Sequence, residues 1–152
     1  MRVIEHAFDP QFGEAWNRRQ VADTLILGTC RYGLIGHDGS FDDTIGGDVG
    51  GATTVGFFMA RQALDDEELL LFAVDRGWRQ RGLGGQLLDN FCAGAARRGT
   101  RRIFLEMRAG NPAASLYESR SFQQVGKRPG YYRGKDGVQY DALTFQRILD
   151  IV

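Results

Sequence analysis

This sequence predicts a mixed α/β domain with a mostly antiparallel sheet and one parallel strand–helix–strand crossover. Three observations carry that prediction. Segments rich in β-branched, aromatic and aliphatic residues recur at 25–35, 53–63, 69–74, 102–108, 122–128 and 140–148. An amphipathic stripe of Leu83, Leu87, Leu88, Phe91, Cys92 and Ala95 separates two of them, placing a crossover over 69–107. The turn-prone Gly134-Lys135-Asp136-Gly137 separates the last two and marks an antiparallel pair. The 152 residues, 43% apolar and 25% charged, suit a single domain over 1–152, large enough to bury a core without disulfides. No internal repeat or interdomain linker is visible.

Taken in order, residues 12–25 read as a helix, with Phe12, Trp16 and Leu25 apolar among Arg18, Arg19 and Asp23. Leu25–Ile35 reads as a strand. The stretch Gly33–Gly51 carries seven glycines with Asp38, Asp42, Asp43 and Asp48, and is expected to be a long, mobile, solvated loop. Strands follow at Thr53–Ala63 and Leu69–Val74, joined by an acidic turn Asp65-Asp66-Glu67-Glu68. The helix after Arg76-Gly77-Trp78 ends with Arg97 and Arg98 at its negative pole and Gly99 as cap. Along Arg102–Arg108, Phe104, Glu106 and Arg108 share one face and Ile103, Leu105 and Met107 the other. Asn111-Pro112 starts a short helix as N-cap and first helical position, running through Leu116 and Tyr117. Phe122–Arg128 and Tyr140–Ile148 complete the sheet.

Composition narrows the chemistry. Glycine supplies 21 residues and proline only 3, with no collagen-like period. Cys30 and Cys92, with only His6 and His37 beside them, offer no disulfide framework and no zinc spacing, so no metal is expected. The longest clean apolar run is Leu69–Val74, too short to span a membrane, and the N-terminus lacks an apolar signal core, which predicts a cytoplasmic protein. The 19 basic and 19 acidic side chains cancel but do not mix: residues 1–75 hold 13 acidic and 5 basic, residues 76–152 hold 6 and 14. A basic C-terminal half suits an anionic ligand. The basic residues are scattered rather than run together, which favours a small phosphorylated ligand over DNA.

The sharpest local signal is Arg79-Gln80-Arg81-Gly82-Leu83-Gly84-Gly85, between a strand and an amphipathic helix. Glycines there let backbone approach a ligand, and the helix start offers unpaired N–H groups to an anion. Arg79 and Arg81 add phosphate donors. A plain glycine-rich turn would look the same. A P-loop would need Gly-Lys-Ser/Thr, which is absent. A dinucleotide fingerprint finds its first two glycines in Gly82 and Gly84 and an acidic residue in Glu106, but its third glycine position is Leu87.

Arg79-x-x-Gly82-x-Gly84 after a strand resembles the acetyl-coenzyme A pyrophosphate loop of the GNAT N-acetyltransferase superfamily. The segment Leu105-Glu106-Met107-Arg108-Ala109-Gly110-Asn111-Pro112-Ala113-Ala114-Ser115-Leu116-Tyr117-Glu118-Ser119 is more specific. It is similar to the second motif of that superfamily in its RimI-like branch, the ribosomal-protein-alanine N-acetyltransferases. Tyr131-Tyr132, Asp136-Gly137 and Asp141-Ala142 resemble the branch's C-terminal signature, and His6-Ala7-Phe8 the segment after its first helix. The resemblance covers nearly the whole chain and is weakest over 36–52.

The resemblance implies a GNAT fold, a splayed and mostly antiparallel central sheet flanked by helices, with acetyl-coenzyme A as co-substrate. It implies Glu106 as general base and Tyr117 as the acid that protonates the departing thiolate. Backbone groups of Phe72, Ala73 and Val74 would bind the pantetheine arm like a further strand. Arg79, Gln80, Arg81, Gly82, Leu83, Gly84 and Gly85 would hold the pyrophosphate, and Asn111 would contact the cofactor arm. Tyr131 and Tyr132 would flank the substrate mouth. The implied acceptor is the N-terminal α-amine of a protein, ribosomal in the RimI case. Chemistry agrees: an α-amine with pKa near 8 is about one-tenth neutral at pH 7, whereas a lysine near 10.4 is neutral roughly once in two thousand or more. A small-amine acetyltransferase and a non-catalytic acyl-coenzyme A-binding module are the alternatives.

Three departures from the family pattern stand out. Asn111 to Tyr117 is six positions where the family has seven, and one helical residue is about 100° of rotation. The family's Leu-Gly-Phe is Arg120-Ser121-Phe122, so a retained positive φ would strain Ser121. The chain also starts where the family's first helix would be under way, so its first strand is expected to be missing.

Overall fold

The computed structural model describes residues 30–44 and 47–149, together with Val3, Arg19, Gln20 and Asp23. Arg19, Gln20 and Asp23 are helical, and Arg19 pairs with Asp23 one turn on at 3.7 Å. The rest of the helix expected over 12–25, the strand expected before Cys30, the segment His6-Ala7-Phe8 and the expectation about a first strand lie outside the described residues.

Among the described residues seven strands form one sheet: β1 (Cys30–Gly36), β2 (Phe41–Asp42), β3 (Thr54–Ala63), β4 (Asp66–Val74), β5 (Arg102–Arg108), β6 (Gln123–Arg133) and β7 (Gln139–Ile148). Among the described residues from Cys30 on, two α-helices, α1 (Leu83–Arg97) and α2 (Ala114–Ser119), lie between the strands, with one 3-10 turn at Arg76–Trp78. The sheet order is β2-β1-β3-β4-β5-β7-β6, and every neighbouring pair is antiparallel except β4 with β5. This is the fold expected from the sequence: mixed α/β, with α1 as the crossover that a parallel pair requires. The apolar stripe of α1 buries Leu83, Leu87, Leu88, Phe91, Cys92 and Ala95 against Ile35, Val55, Phe58, Ile103, Leu105 and Phe145. Gly99, at φ +81°, ends the helix as anticipated. Among the described residues no helix is long and apolar enough to cross a membrane.

The middle of the sheet splits. Met59 pairs with Leu71 and Ala60 with Leu69, so Leu70 is an extra residue, a bulge in β4. On its other side β4 pairs with β5 over only four positions, Asp66–Leu69 against Arg102–Leu105. From Leu70 the strands part, β4 staying with β3 as far as Val74 and β5 with β7 as far as Arg108. Among the described residues no strand pairs with the β5-facing edge of 70–74.

Four expectations need correction. The segment Gly33–Gly51 is not a plain loop: Gly33–Gly36 belong to β1, and Leu34 and Ile35 pair with Asp42 and Phe41 of β2. Asp38, Asp42 and Asp48 each accept the backbone N–H two residues on, which organises the chain as successive turns. A Cβ at Gly33 would strike the Phe58 ring, so that glycine serves close packing. The acidic turn at 65–68 is shorter than expected, because Asp66, Glu67 and Glu68 are already in β4. Glu67 is fully buried and bonded to Arg98 (2.7 Å) and Thr100, with Arg31 at 3.6 Å. Asn111 does not cap α2: its side chain accepts the Ala113 N–H at 2.9 Å in a turn, and the helix starts at Ala114 with Ala113 as N-cap. Finally, β6 runs on to Arg133, with Pro129 inside a register break of this edge strand.

Candidate functional site

The parting of β4 and β5 opens a cleft of 970 Å³. One wall is β4, whose residues 70–74 have backbone groups toward β5 that the sheet leaves unused. Phe72, Ala73 and Val74 lie along this wall. The chain then turns through Arg76–Trp78, where the Asp75 carboxylate accepts the Gly77 N–H at 3.0 Å. Arg79 Nε donates to the Val74 carbonyl at 3.2 Å, tying the turn to the strand end. Burial, and then the neighbouring Arg76 charge, hold the Arg79 guanidinium below its ordinary pKa.

Helix α1 starts at Gly82, a left-handed N-cap with φ +79° and no capping side chain. The first intrahelical bond given by its loop side is Gln86 N–H to Gly82 C=O at 3.0 Å, so the N–H groups of 83–85 have no helical acceptor. A Cβ at Gly82 would meet nothing within 4 Å; the demand for glycine there is conformational, with open space above the helix end. Gln80 also adopts a left-handed conformation, φ +62°, with no glycine to flag it in the sequence. Gln80, Gly82, Gly84 and Gly85 line the cleft together with Arg76 and Arg79. Two expected members do not. Arg81 stacks on Trp78, 4.6 Å from the ring centroid, and Leu83 is buried in the core. Gly85 has a second task, because a Cβ there would collide with the Arg120 guanidinium, which crosses to Asp89 at 3.2 Å.

Glu106 occupies the first β5 position beyond the paired stretch, at the apex of the split. Its partner is neither Arg102 nor Arg108 but Arg128 of β6, which donates Nε and Nη2 to the two carboxylate oxygens at 2.7 and 2.5 Å. The same guanidinium lies 3.8 Å from the centroid of the Tyr131 ring. Arg128 is held above its ordinary pKa, chiefly by the hydrogen bonds to Glu106. Tyr117, on α2, lines the cleft while packing edge-on against Phe72 (5.9 Å) and Phe122 (5.6 Å). It is only 6% exposed, and burial raises its phenol pKa well above the ordinary value. The late start of α2 goes with a short helix in which Tyr117 faces both core and cleft. Ser121 follows at φ +67°, the strained conformation expected there. Asn111, Tyr131 and Tyr132 also line the cleft, the two tyrosine rings meeting edge to face at 5.1 Å.

Sequence reasoning missed three cleft arginines, Arg76, Arg108 (buried and stacked toward Tyr140 at 5.5 Å) and Arg120, and the Arg128 that pairs with Glu106. The register of β5, β7 and β6 places Arg128 in the row of Ala142 and Arg108, from which its side chain reaches back to Glu106, and no signal along the chain marks that approach. Among the described residues no group of three or more His, Cys, Asp or Glu could hold a metal. The arrangement can hold an extended polar ligand against β4 and an anion at Gly82–Gly85. A carboxylate and a phenol line the same cleft.

A family model described as an acetyltransferase (GNAT) domain matches residues 42–124. The [ribosomal protein bS18]-alanine N-acetyltransferase of Escherichia coli (strain K12) is 38% identical over 82 residues, 53% of this chain and 55% of that protein. The protein of the same name from Haemophilus ducreyi is 31% identical over 90 residues, 59% and 62% of the two chains. The chain thus spans about half the length of the curated relatives it matches. The crystal structure of the ribosomal-protein-S18-alanine N-acetyltransferase from Escherichia coli superposes with TM-score 0.77 at 26% identity, covering 99% of this chain and 86% of that one. A ribosomal-protein-alanine N-acetyltransferase from Brucella melitensis shares the fold, with TM-score 0.65 at 21% identity over 88% and 77%.

Proposed function

The chain belongs to the acetyltransferase (GNAT) domain family, and from that premise we propose that it transfers the acetyl group of acetyl-coenzyme A to the N-terminal α-amine of a protein. The observation that carries this reading is the coincidence of parts in one cleft. An unpaired β4 edge, an uncapped helix start flanked by arginines, Glu106 and Tyr117 all line it.

The residues fit the co-substrate. Coenzyme A would supply the acetyl group as a thioester. Residues 70–74 have cleft-side backbone groups that no strand pairs, the Val74 carbonyl alone being held by Arg79, as an amide-bearing arm needs, and Gly82 leaves the α1 N–H groups open to a pyrophosphate. Asn111 sits on the opposite wall, toward the same arm. At the apex Glu106 accepts the proton of the acceptor amine, directly or through water. The nitrogen–carbonyl bond forms as the carbonyl–sulfur bond breaks, and the sulfur takes the Tyr117 proton. Tyr117 suits this task because burial keeps it protonated throughout the working range. Tyr131 and Tyr132 line the same cleft and would flank the path of the acceptor.

An α-amine is the better match to one carboxylate base, since about a tenth of it is already neutral at pH 7. The test is release of free thiol from acetyl-coenzyme A with peptides of varied N-terminus, set against a polyamine, an amino sugar and free amino acids. Turnover on alanine-initiated peptides supports the reading. No turnover on any peptide with clear turnover on a small amine overturns it. Tight coenzyme binding with no turnover at all would make the chain a binding module.

A further inference from the structure

The contact that sequence reasoning missed at the apex of the cleft is Arg128 on Glu106. Both carboxylate oxygens are held by one guanidinium, a fork that fixes the plane of the carboxylate as well as its position. Three features of the sheet build this contact. Glu106 faces Thr144 on β7, and Thr144 in turn faces Gly126 on β6, which places no side chain in that row. Arg128 lies one row on, opposite Ala142, whose small side chain leaves its path clear. The Tyr131 ring then backs the guanidinium from the far side at 3.8 Å. Arginine is thus held between a carboxylate and an aromatic face that both line the cleft. It is half exposed there, 51% against 27% for Glu106.

If Glu106 is the base proposed above, on which this inference rests, Arg128 sets what that base can do. We propose that Arg128 is the positioning and specificity-determining residue of the site: its fork orients the Glu106 carboxylate, and its charge disfavours a charged ammonium beside it, so that the acceptor amine must arrive neutral. A carboxylate held in this way can take a proton from an amine that is being acylated, while the positive charge beside it works against seating a lysine ammonium first. The other charged or titratable groups around this cleft are Glu68 on β4, Arg76 and Arg79 in the turn after it, Arg108 on β5, Tyr117 on α2, Arg120 just after α2, and Tyr131 and Tyr132 on β6. Glu68 is paired with Arg61 at 2.5 Å, and Arg108 donates to the Ala109 carbonyl at 2.9 Å.

The test uses the full chain with Arg128→Gln and Arg128→Lys. Each is assayed for kcat and KM on an alanine-initiated peptide and on a lysine peptide with a blocked N-terminus, with the KM for acetyl-coenzyme A and the thermal midpoint recorded alongside. Arg128→Gln is expected to lower kcat on the alanine-initiated peptide by about tenfold or more with the coenzyme KM unchanged, and to narrow the preference for the α-amine. Arg128→Lys keeps the charge without the fork, so it should restore the preference and leave kcat low. An unchanged kcat in Arg128→Gln overturns the positioning role and leaves the proposed reaction standing. An unchanged α-amine preference overturns the specificity role. No turnover of any peptide by the parent chain overturns the proposed reaction and this inference with it.

Discussion

Replacing Tyr117 by phenylalanine deletes one oxygen and leaves the ring. The ring holds its place by edge-to-face packing on Phe72 and Phe122, and phenylalanine keeps both contacts. The fold should therefore lose no more than about 1 kcal/mol, the ordinary net worth of one hydroxyl interaction. The chemistry should lose far more. Removing a general acid costs roughly 10²–10⁴ in rate, about 2.7–5.4 kcal/mol of transition-state stabilisation at 1.36 kcal/mol per factor of ten. Because burial pushes the Tyr117 pKa up, the acid is fully protonated across neutral pH and contributes no basic limb of its own. The loss should then be uniform from pH 6 to 9. The assay is thiol release at saturating acetyl-coenzyme A and alanine-initiated peptide, with coenzyme affinity measured by calorimetry and the thermal midpoint recorded alongside. A kcat within about threefold of the parent, with affinity and midpoint unchanged, would refute Tyr117 as the acid.

Three other perturbations read the fold. Arg98→Met leaves the fully buried Glu67 carboxylate without its bidentate partner, and urea unfolding should show a loss of about 3–5 kcal/mol. Ser121→Gly relieves a left-handed backbone at φ +67° and should raise stability by about 0.5–1 kcal/mol, after the extra unfolded-state entropy of glycine is offset; a lower thermal midpoint would contradict it. Burial raises the Cys92 thiol from its usual 9.0 to about 11. The fold therefore disfavours the thiolate: stability is untouched below about pH 9 and declines as pH rises from there toward 11. Thermal midpoints across that range, with Cys92→Ala showing a shallower decline, check the sign. Native Cys92 should also resist alkylation at pH 8 while unfolded chains react.

What the sequence makes legible is whatever depends on neighbours along the chain. The α1 stripe, the strand Arg102–Arg108 and the Gly99 cap follow from periodicity or from a single residue's conformational needs, and the strained Ser121 from the family resemblance, which has glycine there. The Gly82 turn is equally local. What was hidden depends on register. Glu67 looks like one carboxylate in an acidic turn until the β3–β4 pairing and α1 bring Arg98 and Thr100 to it. Gly33–Gly51 looks like slack until Phe58 is seen against Gly33 and the aspartates are seen capping their own turns. Arg81 carries the charge expected of a phosphate ligand, yet Trp78 claims it. Arg128 stands 22 positions after Glu106 and is joined to it only through the rows of β5, β7 and β6.

The four-rung junction between β4 and β5 makes the sheet a zipper fastened at one end. One half, β2-β1-β3-β4 with α1 packed on it, and the other, β5-β7-β6, share an apolar core but few backbone rungs. Without a guest, the inner margin of 70–74 has no strand to pair with and only the Arg79 contact at the Val74 carbonyl, so its amides should exchange faster than those of the β3-facing margin of the same strand. An extended amide-bearing guest would close the open end of the zipper. The co-substrate would then act as a structural rung as well as a donor, and each turnover would begin by stiffening the two halves into one body.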